Sequence, residues 1–305
     1  MLLLANPTAG QGRGDEALDV VERALGAGGV EVEVHRTSGP GDARERARRA
    51  EAEGVGVLVA VGGDGTLHEA LNGLCEGAAA PGRPAPALGL VPVGTGNDYA
   101  KMLAIPGRDP ARAAEVLLAG AARRVDLGYL RGAEPGPEWF MNNVGLGFLG
   151  VANAAHEIHR WMPGRLSYSL GGFLEYLRYR PSQVRVVVDG QELVRSAFGV
   201  QLSIGRYCGG GIQLAPDATL DAGRLDVCVI SAQPKLRTLL EWPRIAAGEK
   251  LAAVTVLAGR HVRFEGAPGT VLHADGEVRR APEGWVEAEL LPGALTVLDG
   301  RPRRA

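Results

Sequence analysis

The chain has 305 residues and a formal net charge of −2. A chain of this length can bury a sizeable core, and it is typical of two domains rather than one. The near-neutral charge leaves no electrostatic footprint for nucleic acid, so we expect no nucleic-acid partner. With 46% apolar and 22% charged residues the composition is that of an ordinary globular protein. No stretch approaches the roughly 18 to 20 apolar residues of a membrane span.

The cysteines and the first residues indicate the compartment. Cys75, Cys208 and Cys228 are odd in number and widely spaced, which predicts buried free thiols in a reducing compartment rather than a disulfide framework. The opening MLLLANPTAG is a short apolar run without a basic segment before it, which indicates a first β-strand rather than a signal peptide. We therefore expect a cytoplasmic protein, which can still associate peripherally with a membrane.

The first part of the chain alternates strand and helix patterns. Strand patterns occur in MLLLANP, VEVEVHRT, VGVLVAVGGDG and LGLVPVG. Helical spacing occurs in GRGDEALDVVERALGAGG, in GDARERARRAEAEG and from Thr66 to about Cys75. This βαβα alternation predicts an α/β domain in which a parallel sheet carries helices on both faces. A ligand of such a domain is expected at the carboxyl ends of the strands.

From about Asp126 the pattern changes to short alternating segments. They are EWFMNNVGLG, SQVRVVVDGQELV, SAFGVQLSIG, GRLDVCVIS, HVRFEG, VLHADGEV and VEAELLPGAL, with DG and GG turns between strands. Regular strand and turn spacing of this kind predicts an antiparallel β-sandwich. The domain boundary therefore falls near RRVDLGY.

Glycine-rich turns follow three of the first strands. They are NPTAGQGRG, VGGDGTLHEALNG, which surrounds Asp64 with glycines, and LVPVGTGNDYA. One such turn is common in α/β proteins as a tight connection. Three turns at one sheet edge favour a polyanionic nucleotide whose phosphates are met by backbone N–H groups.

Five motifs occur in a characteristic order: NPTAG, GGDGT, GTGND, PDATLDAGRLDV and DGE. Together they resemble the diacylglycerol kinase catalytic family of bacterial lipid kinases and sphingosine kinases, over nearly the whole chain. The resemblance implies an ATP-binding α/β domain over residues 1–126, to which residues 293–305 return. It implies a β-sandwich lipid-substrate domain over residues 127–292. The implied reaction is ATP- and Mg²⁺-dependent transfer of the γ-phosphoryl group to a lipid hydroxyl at the membrane surface, from diacylglycerol to phosphatidate.

The resemblance also implies roles for individual residues. Glu277 matches the general base, with Asp275 beside it. Asp64, Asp98 and Asp126 match the acidic set that organises Mg²⁺, and Asp64 is thereby also assigned to catalysis. The nucleotide-contacting positions are Asn6, Thr37, Gly62, Gly63, Asp64, Gly65, Thr66, Leu67, His68, Thr95 and Asn97. Such residues suit phosphoryl transfer, which needs charge neutralisation, positioning and a proton acceptor for the attacking hydroxyl.

Two positions depart from the family pattern. Many relatives carry Asn where this chain has His68, although sphingosine kinases also have His there. The family's DDG motif is Asp221-Ala222-Gly223 here. In bacterial relatives the second acid of that pair binds a structural Mg²⁺, and Ala222 offers no ligand atom, so we expect no tightly held ion in this loop.

Several alternatives stay open at the level of sequence. The acceptor can be a sphingoid base or phosphatidylglycerol, and NAD kinases also use a GGDGT turn. A catalytically inactive lipid-binding module is disfavoured because the acids are present. DGE by itself is equally typical of a type I′ hairpin turn. The oligomeric state is open, with a homodimer as one alternative.

The segment WMPGRLSYSLGGFLEYLRYR has an apolar stripe at helical spacing. Core packing is the favoured interpretation of the stripe. The alternative is a membrane-facing edge, in which nearby arginines meet anionic headgroups. The stripe consists of Leu166, Leu170, Phe173, Leu174 and Leu177, and the arginines are Arg160, Arg165, Arg178 and Arg180. His156 and His159 share a helix at a spacing that could bind metal, but solvated helix residues are favoured.

Overall fold

The computed structural model describes residues 1–77, 86–158 and 164–301, and it describes side chains within these ranges except over residues 156–170. The chain divides into two compact units. Unit 1 comprises Met1–Asp126 and Gly293–Ala305, and unit 2 comprises Leu127–Pro292.

Unit 1 alternates strands with helices. Its strands are β1 (Leu2–Ala5), β2 (Glu33–Arg36), β3 (Val57–Gly62) and β4 (Ala87–Pro92). Its helices are α1 (Ala9–Gly12), α2 (Gly14–Ala27), α3 (Asp42–Ala50), α4 (Asp64–Gly77), α5 (Asp98–Met102) and α6 (Pro110–Ala119).

The strands of unit 1 form a parallel sheet in the order β2-β1-β3-β4. The chain runs outward from β1 to β2 and then returns past β1 to β3, so the direction of winding reverses between β1 and β3. Right-handed crossovers place the two connecting helices, α2 and α3, on opposite faces of the sheet. α2 packs against α6, and α3 packs against α4. The predicted parallel sheet with helices on both faces is confirmed.

The apolar runs of the sequence explain this arrangement. Leu2, Leu3 and Leu4 of β1 are fully buried, as is the stretch from Leu58 to Val61 of β3. A strand covered by helices on both faces has no polar side, which is why these strands appear as continuous apolar runs.

Unit 2 is built mainly from antiparallel strands. They are β5 (Ala122–Arg131), which begins in unit 1, β6 (Glu138–Phe140), β7 (Asn143–Gly147), β8 (Ser182–Val188), β9 (Gln191–Ser203), β10 (Leu225–Ser231), β11 (Val254–Gly259), β12 (His261–Glu265), β13 (Thr270–Ala274), β14 (Glu277–Ala281) and β15 (Trp285–Leu298), which ends in unit 1. The helices are α7 (Phe148–Ile158), α8 (Gly164–Arg178) and α9 (Lys235–Ala246).

The strand order β14-β13-β7-β9-β8-β12-β15 is antiparallel at each pairing, and β10 pairs with β9 and β11. The predicted antiparallel β-sandwich is confirmed. The last part of β15 runs parallel to β4, where Val297 pairs with Leu88.

Three local predictions differ from the structure. EWFMNNVGLG is two strands, β6 and β7, separated at Met141 and Asn142. The segment SQVRVVVDGQELV contains β8 and the start of β9, and β9 continues through most of the next predicted segment, SAFGVQLSIG. β11 and α9 were not predicted. The sequence of α9, KLRTLLEWPRIA, contains Pro243, and a proline within a helical pattern ordinarily indicates the end of a helix.

An aromatic cluster holds the helices of unit 2 to its sheet. The ring of Phe198 on β9 lies 4.5 Å from that of Phe148 on α7. It lies 5.9 Å from the ring of Tyr176 on α8 and 6.3 Å from that of Trp242 on α9. Edge-to-face and tilted pairs at these distances add to the stability gained from burial alone.

Two residues of the stripe predicted for α8 do not pack into the core. The inward residue is Tyr176, whereas Phe173 is 42% exposed and Leu177 is 50% exposed. The favoured core-packing interpretation is therefore wrong for these two residues. Arg160, His159 and Trp161 lie outside the described residues, as do the side chains of His156, Arg165, Leu166 and Leu170.

The cysteines are free, as predicted. Burial raises the pKa of the Cys75 and Cys228 thiols to about 12, so both are protonated and unreactive near neutral pH. Within the described parts of the chain, no helix combines the length and the apolar character needed to cross a bilayer.

Candidate active site

The carboxyl ends of β1 to β4 lie along one edge of the unit 1 sheet. Backbone hydrogen bonds tie the residues that follow each strand to the neighbouring strand. The Asn6 N–H donates to the Val61 carbonyl at 3.0 Å, and the Thr37 N–H donates to the Ala5 carbonyl at 2.8 Å. Ligands of doubly wound sheets bind where the winding reverses, which here is between β1 and β3. Asn6 and the turn that begins at Gly63 are therefore the residues at the expected binding point.

Asn6 connects two of the glycine-rich turns through its side chain. Its Oδ1 accepts hydrogen bonds from the backbone N–H of Thr8 at 3.1 Å and from the Thr8 hydroxyl at 2.8 Å. Its Nδ2 donates to Oγ1 of Thr66 at 3.3 Å. The amide thus fixes the turn after β1 against the first turn of α4.

The glycines allow these turns to touch through their backbones. A Cβ on Gly10 would lie 2.2 Å from the carbonyl oxygen of Val93, and one on Gly94 would lie 2.7 Å from Cα of Gly63. A Cβ on Gly62 would lie 2.4 Å from Oγ1 of Thr66. Separations this short exclude any side chain. The glycines therefore serve the packing of turn on turn, whatever role they have toward a phosphate.

α4 begins at Asp64, two residues before the predicted start at Thr66. The Gly63 carbonyl accepts the N–H of Leu67 at 3.1 Å, which closes the first helical turn. The first N–H groups of a helix lack partners within the helix, and the helix dipole favours an anion beside them. The predicted Gly62–His68 loop is thus a strand end followed by a helix N-terminus.

Leu67 and His68 of that predicted set have buried side chains, as does Thr66. Leu67 is 3% exposed and His68 is 4% exposed. The Asn72 amide nitrogen lies 3.2 Å from Nε2 of His68 and donates to the His68 carbonyl at 3.0 Å. Both side chains therefore face the interior of unit 1.

Asp64 and Asp98 face the same glycine. A Cβ on Gly96 would lie 2.9 Å from Oδ2 of Asp64 and 3.9 Å from Oδ2 of Asp98. Asp98 is buried, and its Oδ1 accepts a hydrogen bond from Nζ of Lys101 at 2.6 Å. Asn97 adopts the left-handed conformation and donates from Nδ2 to the Gly94 carbonyl at 2.8 Å, which holds the turn that brings Gly96 between the two acids.

This donor set fits part of a magnesium site. Carboxylate oxygens are ligands that Mg²⁺ prefers, and it typically uses only one or two of them together with waters and substrate phosphates. The described residues contain no cluster of three or more acidic, histidine or cysteine side chains that could enclose an ion by themselves. Thr95, which precedes Gly96, is exposed at the same turn.

The carboxylate of Asp126 accepts a hydrogen bond from the backbone. It is buried on β5, and its Oδ1 accepts the N–H of Gly293 at 2.8 Å. Arg124 donates from Nε to the Gly293 carbonyl at 2.6 Å. These contacts fasten the segment that returns to unit 1, and a role of Asp126 near Mg²⁺ stays a prediction.

In unit 2 the DGE motif forms the tight turn between β13 and β14. Asp275 and Gly276 have φ values of 50° and 99°, both positive, as a type I′ turn requires. The Asp275 carboxylate accepts the backbone N–H groups of Met141 at 2.8 Å, Asn142 at 2.9 Å and Asn143 at 2.9 Å. These bonds account for the break between β6 and β7, because N–H groups at the break bind a carboxylate instead of a neighbouring strand.

Glu277 is the first residue of β14, where it pairs with Ala274. Its side chain is half-buried, and no donor among the described residues lies within hydrogen-bonding distance of its carboxylate. The turn before it is held from two sides, by the Asp275 bonds and by Asn153 of α7, whose Nδ2 donates to the Gly276 carbonyl at 2.6 Å. The backbone of Glu277 is therefore held in place, while its carboxylate accepts no hydrogen bond from the described residues.

His273 is a buried residue of this hairpin that sequence reasoning missed. It pairs with Gly145 of β7, where a Cβ would lie 2.3 Å from its Nε2, so only glycine leaves room for the ring. Burial lowers the pKa of His273 to about 4, an effect that the nearby Asp275 charge partly opposes. The only sequence signal was its place two residues before Asp275.

The Asp221-Ala222-Gly223 loop lies beside two arginines. Arg260 donates from Nε to the Gly223 carbonyl at 2.9 Å, and Arg224 donates from Nε to Oδ1 of Asp226 at 3.2 Å. Guanidinium groups in this position disfavour a bound cation by charge repulsion. The expected absence of a tightly held ion in this loop stays a prediction.

A parallel α/β unit with glycine-rich turns at its switch point is thus followed in the chain by an antiparallel β-sandwich. Residues 1–130 match the family model of the diacylglycerol kinase catalytic domain. Residues 142–299 match that of the YegS C-terminal NAD kinase beta sandwich-like domain.

Individual relatives agree with these matches. The chain is 31% identical to a diacylglycerol kinase of Mycobacterium tuberculosis over 303 residues, which cover 98% of this chain and 94% of that protein. It is 30% identical to a probable lipid kinase YegS-like of Pseudomonas aeruginosa, over 94% of this chain and 91% of that protein. A crystal structure of a diacylglycerol kinase from Bacillus anthracis superposes with a TM-score of 0.73 at 25% identity, covering 98% and 96% of the two chains. The chain belongs to the diacylglycerol kinase family of lipid kinases.

The close approach of Gly96 to the acids generates a first prediction. In the Gly96→Ala variant the new methyl group displaces the Asp64 carboxylate, because 2.9 Å is too short for a carbon–oxygen contact. We expect kinase activity to fall at least tenfold while the melting temperature changes by less than about 3 °C. Gly56→Ala is the matched control, since a Cβ there meets nothing within 4 Å. Full activity of Gly96→Ala would show that the Asp64 position is not critical.

The buried His273 generates a second prediction. The folded protein keeps His273 neutral down to about pH 4, whereas the unfolded chain binds a proton below about pH 6.5. Its contribution to stability is therefore complete above pH 6.5 and is lost as the pH falls toward 4. Between pH 7.5 and pH 5 we expect a loss of about 2 kcal/mol from this group, measured by urea unfolding of the wild type against His273→Leu.

Should His273→Leu fail to fold, a carbon NMR titration of the wild-type ring gives the same information. A ring that becomes protonated near pH 6.5 in the folded protein would contradict this prediction.

Proposed function

We propose that this member of the family is an ATP- and Mg²⁺-dependent kinase that phosphorylates the hydroxyl of diacylglycerol to give phosphatidate. The observation that carries the proposal is the packing of three glycine-rich turns at the switch point of unit 1, with Asp64 and Asp98 facing Gly96. Family membership indicates the class of reaction, and the individual roles are assigned to the residues of the candidate active site.

The nucleotide-binding role is assigned to the carboxyl edge of the unit 1 sheet. The N-terminus of α4 suits phosphate oxygens because the helix dipole favours an anion there, and the exposed Thr95 hydroxyl offers a further donor. Asn6 acts on the nucleotide indirectly. Its amide is already hydrogen-bonded to Thr8 and Thr66, and so it holds the two turns in fixed positions relative to each other. Turns held in this way need little reorganisation when the nucleotide arrives.

The metal-holding role is assigned to Asp64 and Asp98. When bound, Mg²⁺ supplies neutralisation of phosphate charge. Lys101 reinforces this arrangement by fixing one oxygen of Asp98, which leaves the other oxygen directed toward Gly96. Asp126 is assigned to holding the returning segment at Gly293, with any effect on the metal exerted through that contact.

The proton-accepting role is assigned to Glu277. A general base must be an ionised carboxylate with a free oxygen, and the Glu277 carboxylate meets no donor among the described residues. Asp275 is less suited to accept the proton, because three backbone N–H groups already bind its oxygens. We assign Asp275 to positioning the turn that carries Glu277.

The acceptor of the phosphoryl group has alternatives to diacylglycerol. The family contains proteins named as diacylglycerol kinases and as YegS-like lipid kinases, so other lipid hydroxyls are alternatives. The second family model carries the description NAD kinase beta sandwich-like, which keeps NAD as the competing acceptor of another chemical class.

A phosphate-transfer assay over a panel of acceptors tests the function. We expect labelled phosphate to move from ATP to diacylglycerol, with at least tenfold lower rates for sphingosine, phosphatidylglycerol and NAD, and with no transfer in the presence of a chelator. Asp64→Ala should abolish transfer without loss of structure, whereas Asp19→Ala, an exposed acid of α2, should not affect it. Preferred phosphorylation of NAD would overturn the proposal.

The role of Glu277 has its own test. Glu277→Gln keeps the shape of the side chain and removes the proton acceptor, so kcat should fall by roughly 10²–10⁴-fold with little change in the KM for ATP. Glu289→Gln, an exposed acid of the same unit, is the matched control. A loss confined to the KM for ATP would make Glu277 a binding residue, and a near-normal kcat would leave DGE as a turn motif only.

A further inference from the structure

Unit 2 exposes a group of large apolar side chains that its folding does not explain. They lie on α8 and α9, and those of Leu236 and Leu240 are 69% and 70% exposed. We define this docking surface by five residues, which are Phe173, Leu177, Leu236, Leu239 and Leu240. Isolated exposed leucines are normal on protein surfaces, but a contiguous group marks an interaction site.

α9 has two apolar faces. Thr238 and Ile245 are buried and Trp242 packs against the aromatic cluster, so this face holds the helix to unit 2. Leu236, Leu239 and Leu240 are spaced by three and four residues and share the outward face. Since the inward face already secures the helix, the outward leucines contribute nothing to the core.

The exposed residues of α8 and α9 adjoin one another. The Tyr176 hydroxyl donates to the Lys235 carbonyl at 2.5 Å, and Nζ of Lys235 donates to the Leu177 carbonyl. The end of α8 therefore contacts the first residue of α9, Lys235, which immediately precedes Leu236. The exposed apolar residues thus lie on two helices that adjoin each other, and together they make up the docking surface.

Positive charges border this surface. Arg178, Arg180, Lys235 and Arg237 are exposed. The neighbouring acids are Glu175, with a side chain 20% exposed and paired with Arg178, and Glu241, with a side chain 19% exposed and paired with Arg237. Among the side chains that the structure describes, four exposed cations against two largely covered acids leave the border positive, which complements an anionic partner.

We propose that the docking surface seats unit 2 on an anionic lipid bilayer, with its leucines among the acyl chains and its basic residues against the headgroups. This inference rests on the proposed function, since a lipid kinase must reach a substrate within a membrane. Outward leucines flanked by basic residues are the pattern of interfacial helices. A second copy of the chain fits less well, because a symmetric contact would bring four cations of one copy against four of the other.

The docking surface is linked to the hairpin that carries Glu277 within the same unit. Phe148 at the start of α7 packs against Tyr176 of α8, with ring centroids 5.7 Å apart. Asn153 on the same helix donates to the Gly276 carbonyl. α7 thus joins the surface to the hairpin, and docking would hold Glu277 in a defined orientation to the bilayer.

Vesicle binding without ATP or substrate tests the inference. We expect the full chain to co-sediment with phosphatidylcholine vesicles containing 30 mol% phosphatidylglycerol (roughly the anionic content that attracts basic surfaces) and to bind pure phosphatidylcholine at least tenfold more weakly. Leu236→Gln with Leu240→Gln, and separately Arg178→Glu with Arg237→Glu, should each reduce binding to the anionic vesicles by at least about tenfold.

The controls lie on α6 of unit 1. Leu118→Gln alters an exposed helical leucine, and Arg112→Glu breaks an exposed pair with Glu115 at the spacing of Arg178 and Glu175. Neither should change vesicle binding. Unchanged binding of the leucine variant would overturn the proposal, as would a wild-type dimer that the same variant converts to monomer.

The failure of this inference is distinguishable from failure of the proposed function. Vesicle binding by a protein that phosphorylates no lipid would support docking and contradict the kinase assignment. Turnover of a water-soluble short-chain diacylglycerol by the leucine variant, together with lost binding to vesicles, would support both.

Discussion

The contact of backbone with backbone at the glycine-rich turns is the constraint on which the candidate nucleotide site depends. Gly94 lies against Gly63, and Gly10 lies against the Val93 carbonyl, at separations that leave no room for a Cβ. These contacts bring the ends of β1, β3 and β4 together at the point where the winding of the sheet reverses. They also set where α4 and α5 begin, and thereby where Asp64 and Asp98 stand relative to Gly96.

Two buried acids of this chain hold backbone segments that are distant from them in sequence. Asp275 binds three N–H groups of the break between β6 and β7, and Asp126 binds the N–H of Gly293. A carboxylate is well suited to such a task because it accepts several hydrogen bonds at once and each is strengthened by the charge. Removing one would leave buried N–H groups unpaired, so these acids are needed for structure whatever they do in catalysis.

The helices of unit 2 use inward side chains for stability and leave their outward side chains for interaction with a partner. Phe148, Tyr176, Phe198 and Trp242 form the aromatic contacts that attach α7, α8 and α9 to the sheet. With the helices attached by these inward rings, the outward residues of α8 and α9 are free of packing constraints. Apolar side chains on such a surface cost little stability, and they need a partner to be explained.

The sequence by itself determined that one unit is a parallel α/β unit and the other an antiparallel sandwich, and it determined the order of the motifs. It could do so because the spacing of apolar residues and the glycine-rich turns are local properties of the chain. For Asp275 and Gly276 it gave a type I′ turn as one of two interpretations, since Asp and Gly are residue types that adopt positive φ. Only the tertiary structure decided what the carboxylates bind: nothing near Asp275 in sequence indicates the N–H groups of Met141 to Asn143, more than 130 residues away. The same holds for the burial of His273 against Gly145 and for the outward leucines of α9, because partners distant in the chain select which face of a strand or helix is covered.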